Sequence, residues 1–175
     1  NVAVLGSGSW ATALAKIVMH NVAEINWYIR KQETIDEFRE IRRNPNHLEW
    51  AYFDISRINF SNDINQVLSE AELVILAVPS PYVKDVLAEI TVDMSQKKVI
   101  SAVKGMIPGD NILVTDYMHQ HFHVPEANLG MITGPCHAEE IALERLSYLT
   151  IGCKDTANAT EWKKLFDTPY VRTTP

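Results

Sequence analysis

A doubly wound α/β domain, built on a mostly parallel sheet with helices on its faces, is the fold class that this sequence predicts. Three observations carry it. Short runs of Val, Ile and Leu recur along the chain, amphipathic segments alternate with them, and two glycines spaced two apart stand at the first junction. The apolar runs are Val2 to Leu5, Ile25 to Ile29, Leu73 to Val78, Lys98 to Val103, Leu129 to Thr133 and Leu149 to Ile151. Each has the length and composition of a strand buried on both faces. Helical patterns fall between them, over Trp10 to Met19, Glu33 to Arg43, Ile64 to Leu68, Val83 to Ile90, Ile112 to His121, Ala138 to Leu143 and Ala159 to Phe166. No internal repeat or low-complexity linker interrupts the alternation. The loop from Asn44 to Arg57, with an Asn-Pro step, aromatics and one His, is long enough to suggest a function.

Composition limits the classes of function. With 175 residues, 46% of them hydrophobic and 22% charged, the chain can bury a core and suits one domain or one and a fraction. A net charge of -6 argues against a nucleic-acid surface. Its densest basic cluster, Arg39, Arg42 and Arg43, falls in an otherwise acidic helical pattern and reads as a solvated face. No apolar run approaches the ~20 residues that a membrane span needs. A chain that opens on Asn1 with a strand already under way is expected to lack a few leading residues. Cys136 and Cys153 have no metal-type or redox-type spacing, which fits a reducing, cytoplasmic compartment.

The first junction, VAVLGSGSWATALAKIV, carries the chemistry. Gly6 lets the strand turn tightly, Gly8 lets backbone approach a diphosphate, and Ala11 stands where a third small residue packs helix against strand. Helix N–H groups and the positive dipole end are left facing an anion. Taken with its place between a strand and a helix, this G-x-G-x-x-A pattern marks a Rossmann-type dinucleotide site. The second strand ends in INWYIRK, where an NAD-selective site would place Asp or Glu; Arg30 and Lys31 could instead clamp a 2'-phosphate, or could simply be exposed residues opening a helix. Both NAD and NADP therefore stay open.

Further on, LAVPSPYV closes a strand at Pro79 and starts a helix with proline in its first turn, at the crevice where such folds bind ligands. ISAVKGMIPG ends a strand in Lys104-Gly105. That lysine could hold an anionic oxygen or polarise a carbonyl, or it could snorkel into water. MITGPCHAEEIA repeats the strand-turn-helix plan, with Gly134 and Pro135 breaking the strand and Cys136 opening a helix. A nucleophilic role for Cys136 lacks an assignable partner set. His137 with Glu139 and Glu140, and the alternate histidines of HQHFH at 119 to 123, read as ordinary turn and surface residues, and no metal site is expected.

The ordered set GSGSWATALAK, NPNHL, LAVPS, SAVKG and TGPCHAEE resembles the N-terminal domain of NAD(P)-dependent glycerol-3-phosphate dehydrogenase, over essentially the whole chain. The resemblance implies hydride transfer between glycerol 3-phosphate or dihydroxyacetone phosphate and the nicotinamide, feeding glycerophospholipid synthesis. It implies cofactor contacts from Ser9, Trp10, Arg30, Lys104 and Ala138, beside Gly6, Gly8, Lys31 and Pro79, which the motifs themselves place at the cofactor, and it implies substrate contacts from Lys104, Gly134 and Cys136. Cys136 departs from the Ser or Thr usual in the family, and a thiol is a poorer hydrogen-bond partner. His137 departs from an aromatic or apolar residue. The resemblance further implies a following helical domain that supplies the general base and hence a fragment inactive on its own; apolar surface that such a domain would cover could instead pair with another copy, and a homodimer of the full-length protein is kept as an expectation. The alternatives are a related 3-hydroxy acid or sugar-phosphate-acid dehydrogenase domain, and a non-catalytic nucleotide-sensing module.

Overall fold

The computed structural model describes residues 1–48, 50–133, 138 and 146–174. Strand and helix alternate through β1 (Val2–Leu5), α1 (Ser9–Val18), β2 (Ile25–Tyr28), α2 (Gln32–Ile41), β3 (Ile58–Ser61), α3 (Ile64–Ser69), β4 (Leu73–Leu76), α4 (Ser80–Ala88) and β5 (Lys98–Ser101). Then follow α5 (Val114–Phe122), β6 (Leu129–Thr133), β7 (Ser147–Cys153), α6 (Thr156–Phe166) and β8 (Val171–Thr174). The strands form one 8-stranded sheet in the order β3-β2-β1-β4-β5-β6-β7-β8. Neighbours are parallel throughout except β6 and β7, which are antiparallel. The doubly wound expectation is met.

Two apolar layers sandwich the sheet because side chains alternate along each strand. In β1, Val2 and Val4 join the layer built with α1, α2 and α6, whereas Ala3 and Leu5 join the one built with α3, α4 and α5. The first layer holds an aromatic group of Trp27, Phe38, Phe53 and Phe60, with Trp27 edge-on to Phe38 at 5.2 Å. Burying a side chain of that size contributes on the order of 2 kcal/mol. Local signals set the helix starts. Asp63 accepts from the Asn65 and Gln66 amides at the head of α3, Asp155 accepts from Asn158 at the head of α6, and proline stands in the first turn of α4.

The structure departs from the sequence reading in several places. β3 and β8 were not among the apolar runs, and β7 begins earlier and ends later than Leu149 to Ile151 while running against β6. Among the described residues, β7 and β8 carry helix α6 on one face only, and exposed and buried residues alternate along them. Arg42 and Arg43 lie past the end of α2, with Arg42 in the left-handed region (φ 61°); only Arg39 is on the helix, its guanidinium over the Phe60 ring. The 44–57 loop is a strap along α1. Asn44 is buried at the helix head, and Arg57 donates from Nε to the Ala23 carbonyl (2.8 Å) and from Nη2 to the Met19 and Val22 carbonyls at its foot. Among the described residues, no helix is long and apolar enough to cross a membrane.

Candidate functional site

Strand order reverses direction between β1 and β4, so the chain leaves their carboxyl ends to opposite sides and opens a crevice there. Gly6 closes its floor. It has φ +115°, and a Cβ at that position would stand 2.5 Å from the Ala77 carbonyl oxygen of the neighbouring strand end. Only glycine satisfies both the angle and the approach. Gly8 is the residue before α1, and a Cβ built on it meets nothing within 4 Å. The space beside it belongs to whatever approaches from outside. Among the described residues, no side chain caps α1 and no acidic residue stands in its first turn, so its leading amides and dipole end face the crevice uncompensated by them. Ala11 is fully buried against the sheet, as its place in the motif requires.

The turn is braced from behind. Trp27 Nε1 donates to the Gly6 carbonyl at 2.7 Å, Asn44 Nδ2 donates to the Ser7 carbonyl at 2.8 Å, and Thr12 Oγ1 donates to the Gly8 carbonyl at 2.8 Å. Ser9 Oγ lies 3.1 Å from Nδ1 of His47. Trp27 and Thr12 are not among the residues the sequence points to, and Asn44 and His47 enter there only as part of the 44–57 loop and the NPNHL motif, with no role of their own. The signal that could have found Asn44 is an Asn-Pro step just past a helix, which breaks the helix and lets the carboxamide turn inward.

Beside α1, Trp10 and Lys104 meet. The Lys104 ammonium sits 5.1 Å from the centre of the Trp10 ring, and the two residues, with Met131 and Thr133, line a cavity of about 280 Å³ at the ends of β5 and β6. Gly105 turns the chain away from this edge at φ +83°, and the following turn is tied back by an ion pair between Asp110 and Lys84 of α4 at 2.7 Å. The Asp110 hydrogen bond and charge hold the Lys84 ammonium above its ordinary pKa. Arg30 and Lys31 are exposed between β2 and α2, and among the described residues neither forms an ion pair or a side-chain hydrogen bond. Pro79 stands exposed at the head of α4. Gly6, Gly8, Ser9, Trp10, Arg30, Lys31, Pro79 and Lys104 thus share the carboxyl-end edge of the sheet. Ala138 is helical and buried in the apolar layer that includes α1. Gly134, Cys136 and His137 lie outside the described residues; β6 ends just before them, at Thr133.

The histidines at 119 to 123 have local partners. Nδ1 of His119 is 2.8 Å from the Val124 carbonyl, His121 stacks on Tyr117, and His123 ends α5 in the left-handed region. Among the described residues, no three His, Cys, Asp or Glu side chains gather as a metal site would require. Burial pushes the Cys153 thiol above its ordinary pKa, the direction opposite to that of an activated cysteine.

Strand order, bare turn and uncapped helix together define a Rossmann-type α/β domain, the class that binds dinucleotides across this crevice. A family model describing the N-terminus of NAD-dependent glycerol-3-phosphate dehydrogenase matches residues 1–159, and the chain belongs to that family. It is 30% identical over 173 residues to a glycerol-3-phosphate dehydrogenase [NAD(P)+] of Oceanobacillus iheyensis, covering 98% of this chain and 49% of the relative. To the enzyme of the same description from an Exiguobacterium species it is 29% identical over 174 residues, covering 98% and 51%. Among solved structures, glycerol-3-phosphate dehydrogenase of Plasmodium falciparum superposes with a TM-score of 0.89 at 29% identity, over 100% of this chain and 52% of that one. A GDP-mannose dehydrogenase shares the fold at a TM-score of 0.74 and 11% identity, over 99% of this chain and 45% of that one. The chain spans about half the length of the curated relatives it matches. Nothing among these matches favours the alternatives drawn from the sequence.

Proposed function

We propose that this chain is the cofactor-binding half of an enzyme that interconverts glycerol 3-phosphate and dihydroxyacetone phosphate, with NAD or NADP as redox partner. A bound nicotinamide would supply the hydride acceptor or donor. The observation that carries the reading is the β1–α1 turn: amides uncapped, space open at Gly8, and a lysine on the adjoining wall.

In this reading the amides after Gly6 and Gly8 receive the diphosphate, with Ser9 and Trp10 beside it. Arg30 and Lys31 flank the adenosine ribose, and Pro79 and Ala138 complete the cofactor wall. Lys104 orients the substrate oxygen; its stacking on Trp10 fixes the ammonium near the crevice, an interaction worth about 0.5–1 kcal/mol when exposed. Gly134 and Cys136 add substrate contacts. Residues 1–175 form the N-terminal domain, and a helical domain after them carries the base that takes the alcohol proton as the hydride leaves. The full-length protein works in the cytoplasm as a homodimer and supplies backbone for phospholipids.

Titration of the full-length protein with NADH and NADPH, followed by nicotinamide fluorescence, tests the cofactor reading directly. Binding of both is expected, with NADPH tighter by about tenfold if the two cations hold a 2'-phosphate. Replacing Arg30 and Lys31 with Ala should then erase the difference. Equal affinities in the parent would remove the cations from the ribose site, and absence of binding would end the reading.

A further inference from the structure

We infer that Asn44 is a positioning residue of the diphosphate site, one that aims backbone amides by holding the carbonyls behind them. This rests on the dinucleotide reading of the β1–α1 turn. In a trans peptide the carbonyl and the N–H point in opposite directions, and no cis bond interrupts the described chain. Fixing a carbonyl therefore fixes the direction of the next residue's amide. Three successive peptide units are fixed in this way, at Gly6 by Trp27, at Ser7 by Asn44 and at Gly8 by Thr12. The Gly8 amide, in the same peptide unit as the Ser7 carbonyl, is thereby turned away from Asn44, and no described residue accepts from the amides of Ser7, Gly8 and Ser9. Amides left open at a helix head are donors available to an anion.

Asn44 holds the middle of the clamp, and its bonds allow one orientation only. Its carboxamide is buried at 1% exposure. One Nδ2 hydrogen goes to the Ser7 carbonyl and the other to Thr12 Oγ1 at 2.9 Å, while Oδ1 accepts from the Asn46 amide at 2.9 Å. Thr12, itself fully buried, uses its single proton on Gly8 and so can only accept from Asn44. Every donor and acceptor is used, and removing one member leaves buried polar atoms unpaired. Asp at this position cannot donate and would bring a negative charge behind the anion site.

The test uses the full-length protein and compares NADH affinity by fluorescence with steady-state kinetics. In Asn44→Ala the NADH dissociation constant and the KM for NADH should each rise about tenfold, with kcat within about twofold and the KM for dihydroxyacetone phosphate unchanged. Asn44→Asp should bind NADH more weakly than Asn44→Ala. If Asn44 variants do not fold, Thr12→Val carries the same expectation, and Thr12→Ser should restore parental affinity. A purely structural role would instead lower the active fraction, and with it kcat, at unchanged KM and dissociation constant; that outcome overturns the inference while leaving the cofactor reading intact. A parent that does not bind NADH overturns both.

Discussion

The two ends of the crevice are built differently. At the β1–α1 turn, successive carbonyls are engaged by Trp27, Asn44 and Thr12, and Gly6 is wedged against Ala77. At the β5 end, Lys104 is exposed, touches the crevice through the ring of Trp10, and is followed by Gly105 and a half-exposed Met106. The first end is a rigid template made by this chain alone. The second is a charged tip on an open wall. A diphosphate needs a fixed array of donors, which must be preorganised to be worth its cost in water. Under the proposed function, a substrate beside the nicotinamide would need a wall that other residues can close.

If that contrast is right, the same kind of change should act on stability at one end and on chemistry at the other. Gly6→Val should cost roughly 3 kcal/mol or more in denaturant unfolding of the full-length protein, because a side chain meets both the positive φ and the Ala77 oxygen. Stability within about 1 kcal/mol of the parent would mean that the turn is not rigid. Lys104→Ala should leave the unfolding midpoint in place but lower kcat/KM about a hundredfold, or about 2.7 kcal/mol of transition-state stabilisation. Unchanged turnover would return Lys104 to the role of a solvated strand end.

The smallest effect concerns the turn that follows Lys104. Lys84 is held above its ordinary pKa of 10.5 by Asp110, so the pair's contribution is complete below that pH and is lost as pH rises through the higher folded value. Full-length protein should lose a little stability above about pH 10.5. Lys84→Met should lack that component and show a flatter profile over the same range. Identical profiles would mean that the ion pair does not hold the turn.

What could be read from sequence follows the same division. The β1–α1 template was legible because its requirements fall on adjacent residues: a positive φ at Gly6, open space at Gly8 and close packing at Ala11. Its bracing was not, because Trp27 and Asn44 reach the turn from β2 and from the strap beyond α2, a proximity that only the parallel register creates. β3 was hidden because INFS alternates buried and exposed residues over a single short stretch, and β8 because VRTT does the same at a half-covered edge. The reversal at β7 left no local mark, since alternation along a strand is the same in either direction. At the other end, Lys104 was legible by its position after an apolar run, whereas its contact with Trp10 depends on the strand order that sets β5 beyond β4, two places from β1.

Gly8→Val in the full-length protein tests the anion template most directly. A Cβ at Gly8 meets no atom of the described residues within 4 Å, and its φ of -76° suits any residue, so the fold should survive with stability within about 1 kcal/mol. The new side chain fills the space assigned to the diphosphate, and NADH affinity should fall about a hundredfold, or about 2.7 kcal/mol. A folded Gly8→Val protein that binds NADH as tightly as its parent would contradict the assignment of that space.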